Sequence, residues 1–214
     1  MKYHKLVENA KKPNGFWGKM MIKAMNKGHS SLTSWGLEHM NIERTATVLD
    51  IGCGGGKTVD RLCSIVANGK VYGIDYSELS VKSSEKLNSK NILCNKAKIL
   101  EASVSDMPFD DNTFDNITAV ETYYFWPDKE NDVKEVFRVL KQGGTVMLLF
   151  EMLRTDDDPF KWEKVENMLN IKSVTPQEIR AVLESAGFEN INTYTKEGTT
   201  WLCATAQKPK DDEN

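Results

Sequence analysis

Two acidic residues and a run of glycines are the first feature of this chain that could do chemistry. The short apolar stretch Thr47-Val-Leu-Asp-Ile51 runs into Asp50-Ile-Gly52-Cys-Gly54-Gly-Gly56, and a second stretch, Lys70 to Ile74, ends at Asp75. Glycines permit a tight turn and let a bulky ligand press on the backbone. A helix starting near Lys57 aims its amide N–H groups at whatever lies there. A carboxylate at the end of the second strand can accept two hydrogen bonds from a ribose diol. Turn and acid together are a nucleoside-binding arrangement. The dinucleotide spacing G-x-G-x-x-G is not met: the glycine it needs at 57 or 59 is Lys57 or Val59. A nicotinamide-dependent oxidoreductase is therefore disfavoured.

The elements that must hold these residues read as alternating strands and helices. Thr47–Ile51, Lys70–Ile74, Lys98–Val104, Asp115–Thr122 and Thr145–Phe150 are the first five strands. Val59, Leu62, Cys63 and Val66 fall on one helical face, as do Val133, Val136, Phe137 and Leu140. Gly143-Gly144 is expected to stop that second helix. Ser77 can cap a helix reaching Leu87. Thr175-Pro-Gln-Glu178 is a capping box with proline at the first helical position, and Gly187 ends its helix. Phe188–Thr195 and Thr199–Ala206 form a closing hairpin across Lys196-Glu-Gly198. The expected fold is α/β: a doubly wound, Rossmann-like mixed sheet of seven strands, its last hairpin antiparallel, with helices on both faces. Ligands of such sheets sit outside the carboxyl ends of the strands.

Composition bounds the partners. The chain has 214 residues, 28 Lys+Arg against 31 Asp+Glu, and a net charge of −3. It lacks the broad basic field of a protein that grips a phosphate backbone, so nucleic acid is disfavoured as a partner. No apolar run approaches the roughly 20 residues that span a bilayer, and no membrane partner is expected. Met1 to Lys12 is polar and basic, unlike a secretory signal. Cys53, Cys63, Cys94 and Cys203 form no CxxC pair and no cluster. The expectation is a cytoplasmic protein with no metal site.

The D-x-G-x-G-x-G pattern and several segments downstream of it resemble the class I S-adenosylmethionine-dependent methyltransferases, in particular the small-molecule branch of the ubiquinone and menaquinone biosynthesis type. The resemblance runs from about Thr47 to Phe150. It rests on Val48-Leu-Asp-Ile-Gly-Cys-Gly-Gly-Gly56, Val71-Tyr-Gly-Ile-Asp75, Ser105-Asp-Met-Pro-Phe-Asp110, Phe114-Asp115 and Glu135-Val-Phe-Arg-Val-Leu-Lys-Gln-Gly-Gly144. Gln142 stands where the family usually has proline. The resemblance implies that Gly52, Cys53 and Gly54 hold the methionine portion and that Asp75 holds the ribose. It also implies that Tyr76 flanks the adenine, that Ser105 and Asp106 receive its edge and that Met107 packs on the ring. Glu121 and Thr122 would line the floor near the sulfonium. The tip from Asp50 to Lys57 would then cup the adenosyl sulfonium, and the product would be S-adenosylhomocysteine.

Methyl transfer from a sulfonium needs orientation more than a catalytic triad. Candidates at the mouth are Tyr123, Tyr124, Trp126, Asp128 and Glu151, with His29 from the N-terminal segment; Tyr123, Tyr124 and His29 are the expected catalytic residues. Plain packing competes for Tyr123 and Tyr124, and an ordinary surface or capping role for His29. Residues 1–44, rich in Met and Trp, are expected to form a helical cap, either a closing lid or a packed cover. Residues 45–207 would be the cofactor-binding domain and 208–214 a flexible tail. Phe160, Trp162, Val165, Met168 and Leu169 could form another wall. The expected activity is methyl transfer to a small-molecule acceptor by a monomer or homodimer. Action on nucleic acid or protein, or cofactor binding without catalysis, stay open as alternatives.

Overall fold

The computed structural model describes residues 12–210; residues 1–11 of the expected cap and 211–214 of the expected tail lie outside them. The strands are β1 (Thr47–Ile51), β2 (Lys70–Asp75), β3 (Ala97–Glu101), β4 (Phe114–Val120), β5 (Leu140–Phe150), β6 (Glu189–Thr195) and β7 (Leu202–Gln207). They form one sheet in the order β3-β2-β1-β4-β5-β7-β6. β1 to β5 pair in parallel, and β7 runs antiparallel to both β5 and β6. From β1 the chain winds outward to β3, then restarts at β4 on the other side of β1. That reversal opens a crevice at the carboxyl ends of β1 and β4.

Among the described residues eight α-helices cover the sheet: α1 (Gly15–Gly28), α2 (Ser30–Leu37), α3 (Lys57–Ile65), α4 (Glu78–Leu87), α5 (Ser89–Leu93), α6 (Lys129–Val139), α7 (Glu163–Leu169) and α8 (Pro176–Ser185). The central strands are buried almost end to end, which is why they read as apolar runs rather than alternations. One core layer joins Phe114, Ile117, Leu148 and Phe150 to Val136 of α6 and Ile179 and Leu183 of α8. The opposite layer joins Val48, Val71 and Ile99 to Val59 and Leu62 of α3. A third cluster seats Leu32 of α2 and Met40 on Met147, Leu149 and Cys203. α2 is therefore part of the core.

Several boundaries differ from the sequence expectation. β3 stops at Glu101, three residues before the expected end. α6 stops at Val139, and Leu140 already belongs to β5. Gly143-Gly144 lies inside β5, where the register against β4 shifts between Phe114 and Asn116, and does not cap the helix. Lys208 is fastened down as well. It is 6% exposed, and its Nζ donates to Asn112 Oδ1, Phe137 O and Leu140 O, each over 2.8 Å. A buried cation on the last carbonyls of α6 is a favourable helix end, so no loose ending begins at 208.

Candidate functional site

The glycine turn is squeezed from one side and open on the other. Gly52 has φ +67° and Gly54 has φ +52°. A Cβ on Gly52 would stand 2.2 Å from Thr122 Oγ1, just beyond β4, whereas a Cβ on Gly54 would meet only Gly52 O, 4.0 Å away. The space above Gly54 is thus available to a ligand. Asp75 borders it. Its Oδ2 accepts from the Gly54 amide and its Oδ1 from the Ser77 amide, both over 2.9 Å. A carboxylate oxygen accepts about two hydrogen bonds, so each oxygen keeps a place for a ribose hydroxyl. Burial raises the Asp75 carboxyl above its usual range, and the two amides oppose that.

Asp50, deeper in the crevice, accepts from Thr118 Oγ1 over 2.7 Å. Burial pushes its carboxyl up to about 7. Burial also lifts the Cys53 thiol well above its ordinary value. Its sulfur is a small neutral filler rather than a nucleophile.

Two chambers meet along Gly52, Asp75, Tyr76, Thr122, Tyr124 and Phe125. The first, of about 310 Å³, lies between the glycine turn and the N-terminal helices, with Met21, Met25, Asn26 and His29 on its wall. The second, of about 870 Å³, is bounded by Ile74, Ala102, Ser103, Val104 and Trp126. Both fall in the range of small-molecule sites. The Trp126 indole N–H is buried with no acceptor among the described residues. α1 and α2 are tied down over the first chamber. Asn26 Nδ2 donates to Gly55 O over 3.4 Å, and the Arg61 guanidinium donates to Ser30 O over 2.9 Å and Ser34 Oγ over 2.8 Å.

Proton-active groups gather at the mouth. His29 Nε2 lies 3.9 Å from Glu151 Oε2. One ligand atom each of His29, Glu121 and Glu151 falls within a 4.8 Å group. Glu121, at φ +57° just after β4, accepts from the Glu151 amide and from the Tyr124 hydroxyl. Removal from water pushes its carboxyl up to about 8, and burial lowers the His29 imidazole while Glu151 opposes that. At neutral pH the set therefore offers a neutral imidazole beside a protonated carboxyl.

The structure brings together Asp50, Gly52, Cys53, Gly54, Asp75, Tyr76, Glu121, Thr122, Tyr124 and His29 around these chambers. Tyr123 does not line them. It is 5% exposed and packs on Trp126 and Phe150, and burial pushes its hydroxyl up to about 12. Tyr124 reaches the chambers, but its hydroxyl is engaged by Glu121 and by the Met152 amide over 3.0 Å. It is a support, not a free base. Ser105 and Asp106 are exposed, and Met107 is buried away from the cleft. The Met107 amide donates to Glu135 Oε1, and its carbonyl accepts from Arg138, which also holds Phe109 O. Those two segments of the family resemblance thus brace one another. The residues facing the cleft after β3 are Ala102, Ser103 and Val104, missed because the apolar run suggests a strand that continues through them. Of the further wall, Leu169 lines the first chamber, whereas Phe160 is 72% exposed.

Comparison with known proteins agrees with this geometry. A protein family described as a methyltransferase domain matches residues 49–148. The uncharacterized methyltransferase YdaC of Bacillus subtilis is 27% identical over 183 residues, 85% of this chain and 93% of that protein. The ubiquinone/menaquinone biosynthesis C-methyltransferase UbiE of Cronobacter sakazakii is 30% identical over 181 residues, 73% of this chain and 72% of that protein. The chain spans under half the length of several longer curated relatives. Among solved structures, phosphoethanolamine N-methyltransferase 2 of Haemonchus contortus, in complex with S-adenosylhomocysteine, shares the fold. Its TM-score is 0.75 at 14% identity, over 91% of this chain and 58% of that one. By its 30% identity across 73% of this chain and 72% of UbiE, together with the methyltransferase-domain match, the chain belongs to the class I S-adenosylmethionine-dependent methyltransferases.

Proposed function

We propose that this enzyme moves the methyl group of S-adenosylmethionine to a small apolar or aromatic acceptor held in the first chamber. The observation that carries the proposal is the lining of that chamber: Met21, Met25, Phe125, Met152 and Ile171 surround the His29–Glu151–Glu121 group. Methionines adapt to an irregular apolar guest. The relative whose name specifies a quinone pathway is in keeping with such a guest.

S-adenosylmethionine supplies a methyl group on a positively charged sulfur, open to in-line attack. The chain's own part is to position and to exclude water. Asp75 takes the ribose hydroxyls, and the backbone of Gly52 and Gly54 lets the methionine portion approach. Asp50 faces the same space, where a ligand ammonium would draw its proton off. Tyr76, Ala102, Ser103 and Val104 flank the base. Alignment of this kind accounts for about 7–11 kcal/mol of barrier lowering in well-oriented reactions. His29 accepts a proton from an acceptor that must lose one, a contribution of ~10²–10⁴-fold. Free thiols at Cys53, Cys63, Cys94 and Cys203 support a reducing cytoplasmic setting.

The test is release of S-adenosylhomocysteine across a panel of acceptors. Turnover with phenolic, quinol or other apolar acceptors is expected. Turnover confined to a polynucleotide or a folded protein would overturn the proposal.

A further inference from the structure

α1 has two working faces. Its inner side carries the buried Gly18 and Ile22 and places Met21, Met25 and Asn26 on the first chamber. Its outer side is unusual for a soluble protein. Phe16 is 71% exposed and Met20 48% exposed, and Lys19, Lys23 and Lys27 are exposed with them. Positions 16, 20, 23 and 27 follow one another at helical spacing, so the two apolar side chains and two of the lysines share one stripe. Gly15–Gly28 contains no acidic residue. Among the described residues, none of the three lysines has an ion-pair partner. In a chain of net charge −3 this is a local reversal of sign.

The mixture of charges and apolar groups selects the occupant. A nucleic-acid backbone would match the lysines and leave Phe16 and Met20 in water. An apolar protein groove would bury the two and strand the ammonium groups. A bilayer bearing anionic headgroups answers both: phosphates meet the lysines, while Phe16 and Met20 enter the boundary of the acyl chains. No helix among the described residues is long and apolar enough to cross a membrane, so α1 would lie in the plane of the interface. We infer that α1 seats this protein on an anionic lipid surface. Because the same helix walls the first chamber, an acceptor dissolved in the bilayer would enter beside it; that second step rests on the proposed transferase activity, whereas the docking does not.

The experiment is sedimentation of the full-length protein with vesicles of mixed phosphatidylglycerol and phosphatidylcholine, against phosphatidylcholine alone. Binding to the mixed vesicles, weakened by added salt, is expected. The triple variant Lys19→Glu/Lys23→Glu/Lys27→Glu is expected to bind at least about tenfold more weakly. Phe16→Ser/Met20→Ser is expected to weaken binding as well. Both variants should keep the parent affinity for S-adenosylhomocysteine, measured by calorimetry, which shows that they fold. Equal binding to neutral vesicles, no binding, tighter binding to duplex DNA, or variants that sediment like the parent would each overturn the inference. Failure of the transferase reading would appear separately, as a parent protein that does not bind S-adenosylhomocysteine.

Discussion

The Gly54 amide donates to Asp75 Oδ2 over 2.9 Å, so the acid that would hold the ribose also fastens the turn that would hold the methionine portion. Removing this carboxylate strikes both contacts. Hydrogen bonds to charged groups are worth about 1.5–3 kcal/mol. Asp75→Ala should therefore weaken S-adenosylhomocysteine binding roughly ten- to hundredfold. Calorimetric titration reads this directly, and an unchanged dissociation constant would show that the ribose lies elsewhere.

Gly52 and Gly54 should fail in different ways when given a methyl group. Both sit at positive φ, but only Gly52 would drive its Cβ into the Thr122 hydroxyl. A left-handed non-glycine residue costs about 1–2 kcal/mol, and overpacking adds typically 1–3 kcal/mol. Gly52→Ala should lower the melting temperature markedly. Gly54→Ala should cost only the backbone penalty, yet it places a methyl in the ligand's space and should abolish cofactor binding in a folded protein. Equal melting temperatures, or normal cofactor binding in Gly54→Ala, would contradict the geometry.

His29 sets the expected acid side of the rate profile. Its imidazole is held below the ordinary 6.5 by burial. A base with that value loses its proton below pH 6.5, so kcat/KM should rise to a plateau before neutrality. Replacing His29 with Gln should remove this limb and lower the plateau, with cofactor affinity retained. An acid limb that persists in the variant would transfer the role to another group.

Glu121 and Asp50 carry a stability signature of opposite sign. Their folded pKa values are raised, to about 8 and about 7, from 4.5 and 3.8. A raised carboxyl favours the folded state at low pH, and that contribution drains away as pH climbs toward the folded value. The melting temperature should fall as pH rises from 3.8 toward about 7 for Asp50 and from 4.5 toward about 8 for Glu121, and level off above. Glu121→Gln cannot ionise and should flatten the upper part of that decline. It should gain on the parent above pH 8 and gain little below 4.5. Parallel curves for variant and parent would show that Glu121 is ionised throughout.

How much of this was legible depends on whether local chemistry or distant packing decides the conformation. The stretch from Thr47 to Gly56 and the acid at 75 could be read because a buried parallel strand is a continuous apolar run and glycines mark its end. The capping box at Thr175 and Glu178 likewise forms as its four residues dictate. The segment after β3 could not be read. Val104 is apolar and extends the run, but the loop turns early because Glu135 and Arg138, some thirty residues on, grip Met107 and Phe109. Tyr123 and Tyr124 are adjacent in a single 3-10 turn, Tyr-Tyr-Phe. Both rings lie 5.6 Å from Phe150, and distant contacts separate them: Tyr123 packs also on Trp126, whereas the Tyr124 hydroxyl is held by the Met152 amide at the edge of the cleft.

The N-terminal segment divides at His29. α1 buries only Gly18 and Ile22 and is held through Asn26, while Ser77 Oγ donates to Pro13 O ahead of it. α2 is different. Leu32 is 1% exposed on Met147 and Leu149, and a Cβ on Gly36 would lie 2.6 Å from Leu149 Cδ2. Each fully buried side chain of this size contributes about 1.5–3 kcal/mol, a large share of the roughly 5–15 kcal/mol typical of a whole domain. Deleting residues 1–28 should therefore leave a cooperatively folding protein that has lost turnover with its first wall. Deleting 1–40 should uncover the β5 face and yield an unfolded or aggregated chain. Circular dichroism melts with an activity assay separate the two. Full turnover after the shorter deletion would remove α1 from the site, and a native-like melt after the longer one would remove α2 from the core.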